Sequence, residues 1–211
     1  MMINTINGFI HRFVPSQEQV HHLCLLLLHN TGGDETSMLS LGIKLAPRAA
    51  MLSPRGKVME GDKNRFFRRT EEGVFDLDDL IFRTTELTNF LREAKTAYQL
   101  ESVKTLAVGY SNGANIAASM LLLHPEILDG AVLFNPMVPL VPDKMPNLEG
   151  KPILIVAGKF DPIVPPEETV RLVNILKNCG ANVALIWHSG GHELGMDELD
   201  MAKQWIESNF P

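Results

Sequence analysis

A chain of 211 residues, 45% hydrophobic and 21% charged, has the size and composition of one globular domain with a sizeable core, and residues 1–211 are expected to form a single domain. A formal net charge of −6 argues against non-specific nucleic-acid binding, which needs a basic surface, and favours a soluble, cytoplasmic protein. No apolar run approaches membrane-spanning length, so neither membrane insertion nor secretion is expected; the longest run, Leu23 to Leu28, is flanked by histidines and lacks a basic leader.

In chain order, a short strand-like piece around Phe9 to Val14 precedes His22 to Leu28, which is too uniformly apolar to be half-solvated and reads as a central strand covered on both faces. It ends in the Gly-rich break His29-Asn30-Thr31-Gly32-Gly33-Asp34. Glu35 to Leu45 then carries Met38, Leu41 and Leu45 at helical spacing until Pro47 stops it. Ala49 to Leu52 is the next strand. Arg55 to Gly73 reads as a long loop whose mixed charges are a solvated surface, with at least one of Phe66 and Phe67 packed on the domain or forming a pocket wall. Asp76 is placed to cap a helix running to about Leu100, whose Leu77, Leu80, Ile81, Leu87, Leu91, Ala94 and Tyr98 keep a 3.6-residue stripe. Val103 to Val108 is a strand, and an alanine-rich helix follows through Leu123. Ala131 to Phe134, Pro152 to Gly158 and Asn182 to His188 are further strands, separated by the proline-rich connection Asn135 to Lys151 and a helix from Glu167 to Cys179; Met196 to Asn209 is a last helix. Buried strands alternating with amphipathic helices predict an α/β protein with a mostly parallel central sheet covered on both faces, whose active site lies beyond the carboxyl ends of strands. Cys24 and Cys179 stand at unrelated positions and suggest neither a disulfide nor a metal pair.

Leu106 to Asn115 reads L-A-V-G-Y-S-N-G-A-N: a strand, a G-x-S-x-G turn and a helix in immediate succession. That context holds a serine on a strained turn with its hydroxyl exposed, and the two glycines avoid collisions as the helix doubles back. Alone, the pentapeptide is a modest signal. Ser111, Asp161 and His192, however, each follow a predicted strand, so they would gather at one sheet edge, and they occur in the chain order of an α/β-hydrolase triad. A serine hydroxyl needs a base within hydrogen-bond reach, which His192 supplies once Asp161 fixes its tautomer. The N–H groups of Asn112, at the helix start, and Thr31, in the Gly-rich loop, are the expected oxyanion donors. Taken singly, a turn serine, a capping aspartate and a surface histidine would be the ordinary readings. Jointly, in order and at strand ends, they point to acyl transfer with no metal or organic cofactor.

The segments L-L-L-L-H-N-T-G-G-D, S-P-R-G-K-V, R-F-F-R-R, G-Y-S-N-G-A-N, A-G-K-F-D-P-I-V-P and S-G-G-H-E-L together resemble the phospholipase/carboxylesterase branch of the α/β-hydrolase fold, in particular its bacterial members linked to methylhydroquinone resistance. The resemblance covers nearly the whole chain. It implies Ser111 as nucleophile, Asp161 as acid, His192 as base, Thr31 and Asn112 as oxyanion donors, and, because such proteins are commonly homodimers, a homodimer. Asn30 and Asn112 replace a glycine and a glutamine frequent in that family; the second exchange leaves the needed backbone N–H in place. The expected activity is that of a carboxylesterase acting on a small-molecule ester or thioester. Two other classes share the scaffold: C–C bond hydrolysis of aromatic ring-cleavage products, and a non-catalytic binding module. Seventeen residues with four prolines, Asn135 to Lys151, cannot fold a lid domain. Their Met137, Val138, Leu140 and Met145 are expected to form one apolar wall of a shallow pocket, with Phe66 or Phe67 and Ile163 across it.

Overall fold

The computed structural model describes residues 4–17 and 22–211. His21, for which no metal-ligand role was expected, lies outside them. The elements in order are β1 (Asn4–Ile6), β2 (Phe9–Val14), β3 (Leu23–Leu28), α1 (Leu39–Leu45), β4 (Ala50–Pro54), β5 (Val58–Glu60), β6 (Lys63–Arg65), β7 (Arg69–Glu71), β8 (Val74–Phe75), α2 (Leu77–Ala97), β9 (Lys104–Tyr110), α3 (Asn112–Leu123), β10 (Gly130–Phe134), β11 (Pro152–Gly158), α4 (Pro166–Asn178), β12 (Asn182–His188) and α5 (Met196–Asn209). The main sheet has the order β1-β2-β4-β3-β9-β10-β11-β12. Only the pairs β1/β2 and β2/β4 are antiparallel; from β4 to β12 every pairing is parallel. This is the α/β-hydrolase architecture.

The reason β3 is apolar at every position is now visible. Successive side chains of a strand point to opposite faces. Leu25 and Leu27 pack with Leu45 of α1 and Ala202 and Ile206 of α5 on one face. On the other, Leu26 and Leu28 share a core with Leu87 and Leu91 of α2, Ile116 of α3 and Leu172 of α4. Each such side chain removed from water contributes about 2 kcal/mol.

Local differences from expectation have local causes. The helix expected from Glu35 begins only at Leu39, because the Asp34 carboxylate accepts the Thr36 N–H at 2.8 Å and the Thr36 and Ser37 hydroxyls at 2.7 and 3.1 Å, holding that stretch as turns. Asp76 does cap α2, its side chain accepting the Asp79 N–H at 3.1 Å, but of the expected stripe Leu77 and Ile81 are exposed, and the buried face runs through Leu80, Leu87, Leu91 and Ala94 with Tyr98 packed at its edge. The larger correction concerns residues 55–73. They are not an open loop: β5 pairs with β6, and β7 with β8, as two hairpins turned at Gly61 (φ 62°) and Gly73 (φ 76°). Phe66 and Phe67, between the hairpins, are 2% and 0% exposed and belong to the core, with Phe66 against the His29 ring and Phe67 edge-on to Phe75. Two adjacent aromatic rings gain more from the core than from a wet cleft, so neither forms a pocket wall. Residues 135–151 cross from β10 to β11 with no helix or strand, and no lid is inserted there. None of the helices among the described residues is long and apolar enough to cross a membrane. Cys24 and Cys179 are free and buried.

Candidate active site

Because β3, β9, β10, β11 and β12 run parallel, their carboxyl ends share one edge, and the turns leaving them bring distant residues together. At the end of β9, Ser111 adopts φ 54° and ψ −113°, a strained backbone for a residue with a side chain. Its N–H is fixed by the Phe134 carbonyl at 2.9 Å. The turn is tight because both neighbouring glycines lack a side chain: a Cβ on Gly109 would stand 2.5 Å from the Gly113 carbonyl oxygen, and one on Gly113 would stand 2.0 Å from that of Leu28.

His192 Nε2 lies 3.0 Å from Ser111 Oγ, and His192 Nδ1 lies 2.7 Å from Asp161 Oδ2. The carboxylate can only accept, so Nδ1–H donates to it and Nε2 is left to accept the serine hydroxyl. Asp161 is itself fixed, because Oδ1 accepts the N–H groups of Ile163 and Val164 at 2.8 and 3.1 Å. One carboxylate thus organises its own loop and orients the imidazole.

Two residues not anticipated from sequence hold His192 from behind. The Tyr110 hydroxyl donates to the His192 carbonyl at 2.9 Å, and Asn135 Nδ2 donates to the same oxygen. The Tyr110 ring also stacks on the imidazole, centroids 5.6 Å apart. Burial, with the nearby charges of Glu193 and Asp161, pushes the Tyr110 pKa up, so it remains a donor. Asn135 is 1% exposed with φ 49°, and its Oδ1 accepts the Gly158 N–H at 3.2 Å, tying β10, β11 and the histidine loop together. An Asn directly after a strand at this sheet edge, a residue type that tolerates positive φ, was the available signal.

Thr31 and Asn112 line the same cleft as Ser111. Among the described residues, neither backbone N–H has an acceptor, as expected for the first residue of a helix and for a loop opened by glycines. The loop of Thr31 is braced by the first hairpin. Gly32 N–H donates to the Asn64 carbonyl at 2.9 Å, Asn64 Nδ2 to the Gly33 carbonyl at 2.9 Å, and Arg65 Nη1 to Thr31 Oγ1 at 2.8 Å. The Phe66 N–H donates to Asn112 Oδ1 at 2.8 Å, so the R-F-F segment links the glycine loop to the start of α3. Beneath it, His29 accepts the Gly56 N–H on Nε2 at 2.9 Å, and burial pushes its pKa down, keeping it neutral.

Above Ser111 and His192 lies a cleft of about 290 Å³. Met137 and Ile163 line it as expected, whereas Phe75 takes the place assigned to Phe66 or Phe67. Leu140 is buried in the core and Met145 does not reach the cleft, which shortens the expected apolar wall. The remaining walls come from the hairpins: Lys63, Arg65, Arg69 and Glu72. Among the described residues, no three His, Cys, Asp or Glu side chains are grouped to hold a metal ion.

The same fold is found in solved structures similar to this chain. The chain is 46% identical to MhqD of Bacillus subtilis (strain 168), assigned by name to the hydrolases, over 87% of this chain and 92% of that protein. The crystal structure of a Bacillus cereus carboxylesterase, at 45% identity, superposes with a TM-score of 0.92 over 96% of this chain and 95% of that one. The structure of YahD with malic acid, at 30% identity, covers 95% of this chain and 99% of its own with a TM-score of 0.89. The description phospholipase/carboxylesterase matches residues 10–210, and the chain belongs to that family of α/β-hydrolases.

Proposed function

We propose that this hydrolase cleaves carboxylic esters, and thioesters, of small or short-chain substrates through an acyl-enzyme on Ser111. One observation carries the reading: an unbroken hydrogen-bond chain from Asp161 through His192 to Ser111 Oγ, on a cleft also lined by Thr31 and Asn112, whose backbone N–H groups have no acceptor among the described residues. Ser111 Oγ attacks the carbonyl carbon as its proton passes to His192 Nε2. The N–H groups of Thr31 and Asn112 receive the charge that develops on the carbonyl oxygen, and as fixed donors they need no reorganisation at that moment. The imidazolium, stabilised by Asp161, then protonates the leaving alkoxide or thiolate. Water entering the same place loses a proton to His192 and attacks the acyl-enzyme, and the acid departs with Ser111 restored.

A cleft of about 290 Å³ is at the small end of ligand sites, and residues 135–151 insert no lid domain above it. The malic acid of the YahD structure is a small ligand of the kind such a cleft would take. Each methylene buried against Phe75, Met137 and Ile163 should add about 0.8 kcal/mol, or roughly fourfold in kcat/KM, until the acyl chain reaches solvent. In a p-nitrophenyl ester series from acetate to palmitate, below micelle formation, we expect an early optimum and no jump at a lipid interface. Steady improvement to the longest chains would overturn the small-substrate reading. A fluorophosphonate probe should modify Ser111 alone. An unlabelled protein would point to a binding module, and turnover of a vinylogous diketone without that of esters to C–C hydrolysis.

The hold on the His192 carbonyl makes a separate prediction. Tyr110→Phe removes one hydrogen bond worth about 1 kcal/mol and keeps the ring, so kcat should fall roughly three- to tenfold with KM little changed. Steady-state kinetics on the best ester of the series reads both constants, and a loss confined to KM would mean that Tyr110 contacts substrate instead.

A further inference from the structure

The cleft holds positive charge for which hydrolysis of a neutral ester has no use. Lys63, Arg65 and Arg69 line it beside Ser111 and His192, on a chain whose net charge is −6. Arg65 is the informative one. It is 4% exposed, and burial pushes its pKa down. A cation taken out of water is costly unless an anion and a full set of acceptors replace the lost hydration.

The protein does not complete that set. Arg65 Nε donates to the Phe67 carbonyl at 3.2 Å and Nη1 to Thr31 Oγ1 at 2.8 Å, both neutral acceptors. Its one carboxylate, Glu60, stands at 3.3 Å, has a side chain 40% exposed, and makes its shorter contact, 2.8 Å, with Arg69 Nε. Arg65 Nη2 has no hydrogen-bond partner among the described residues. Lys63, on the same hairpin, makes no ion pair within 4.0 Å among them. With Glu60 balancing Arg69, the wall is left with Lys63 and Arg65 against the exposed Glu72, an excess of one positive charge. A buried donor lies on the same cleft: Asn112 is 2% exposed and its Nδ2 has no partner among the described residues.

Resting on the esterase reading of Ser111, we propose that this wall is an anion subsite, built to take a carboxylate carried by the substrate itself, so that the preferred substrates are half-esters of short dicarboxylic acids. Guanidinium geometry suits a carboxylate, which can bridge Arg65 Nη2 and the Lys63 ammonium. Such a subsite binds the non-reacting end of the substrate and brings the ester carbonyl to Ser111. It also gives the two hairpins a task that a solvated loop would not have.

The test compares monoethyl succinate, glutarate and adipate with the matching ethyl ester amides, which have the same shape and no charge, by pH-stat. At least one half-ester should exceed its amide by about 10- to 100-fold in kcat/KM, as expected of charge-assisted hydrogen bonds. Arg65→Gln should abolish most of that ratio and Lys63→Gln should lower it several-fold. Arg65 also braces Thr31, so its loss can slow every ester; the half-ester to amide ratio is the readout because a bracing role alone leaves it unmoved. Lys63 is exposed, so its substitution keeps the test available if Arg65→Gln does not fold. Equal kcat/KM for half-esters and amides in an active enzyme would overturn the subsite and leave the esterase reading standing. A preference that survives both substitutions would overturn it equally. If no ester is turned over and the fluorophosphonate leaves Ser111 unmodified, the esterase reading falls and the subsite falls with it.

Discussion

Ser111→Ala and His192→Ala should each lower kcat by about 10⁵- to 10⁶-fold, and Asp161→Ala by somewhat less, as expected for three groups that act as one unit. Without Oγ no acyl-enzyme forms, and without Nε2 the hydroxyl keeps its proton at neutral pH. Without Asp161 the imidazole loses the acceptor that sets its tautomer at 2.7 Å, although Tyr110 and Asn135 still hold the backbone of His192. The double variant Ser111→Ala/His192→Ala should be no slower than the worse single one. Residual turnover should reflect the Thr31 and Asn112 donors, which none of these changes removes. Kinetics with purified variants, corrected for wild-type carry-over by active-site titration, decide the matter. A double variant whose loss equals the product of the two single losses would show that Ser111 and His192 do not cooperate, and the acyl-enzyme mechanism would have to be abandoned.

Much of this site was legible because its parts sit where chain order and local pattern meet. Ser111 is marked by the glycines at 109 and 113, and Asp161 and His192 by the strands that end at Gly158 and His188. Strand and helix limits from Pro152 onward match expectation to within about a residue because those elements are long enough to show their period. The hairpins between 58 and 75 have strands of two or three residues, too short for any alternation to appear, and their arginines and glutamates imitate a solvated surface. What places Phe66 in the core is its N–H on Asn112 Oδ1 and its ring on His29, contacts made across 46 and 37 residues of chain. The hold of Tyr110 and Asn135 on the His192 carbonyl spans 82 and 57 residues. No window of sequence contains both ends of such a contact. The charge of Arg65 was plain in the sequence, but its burial, which is what makes that charge informative, was not.

The second glycine of the elbow carries the largest expected effect on stability. Reading the turn locally, Gly109 and Gly113 both serve the helix doubling back on its own strand. For Gly109 that is so, its Cβ position meeting Gly113 and Ala114. Gly113 has a different neighbour. A Cβ there would stand 2.0 Å from the Leu28 carbonyl oxygen, 2.4 Å from its carbon and 2.7 Å from the His29 carbonyl oxygen, all backbone at the end of β3. Those atoms cannot rotate away as a side chain would, so α3 would have to lift off the sheet, taking Ser111 and Asn112 with it. Gly113→Ala should therefore destabilise the protein by on the order of 3 kcal/mol or more, lowering Tm by about 6–12 °C in a chain of this size. Gly191→Ala is the control, since its Cβ would meet nothing nearer than 3.6 Å, and its Tm should stay within about 2 °C of wild type. The sign is what discriminates. Alanine is better than glycine inside a helix by about 1 kcal/mol, so helix propensity alone predicts that Gly113→Ala raises Tm. A thermal melt in which it does so would mean that α3 does not pass this close to β3, and the tight packing here assigned to the elbow would be wrong.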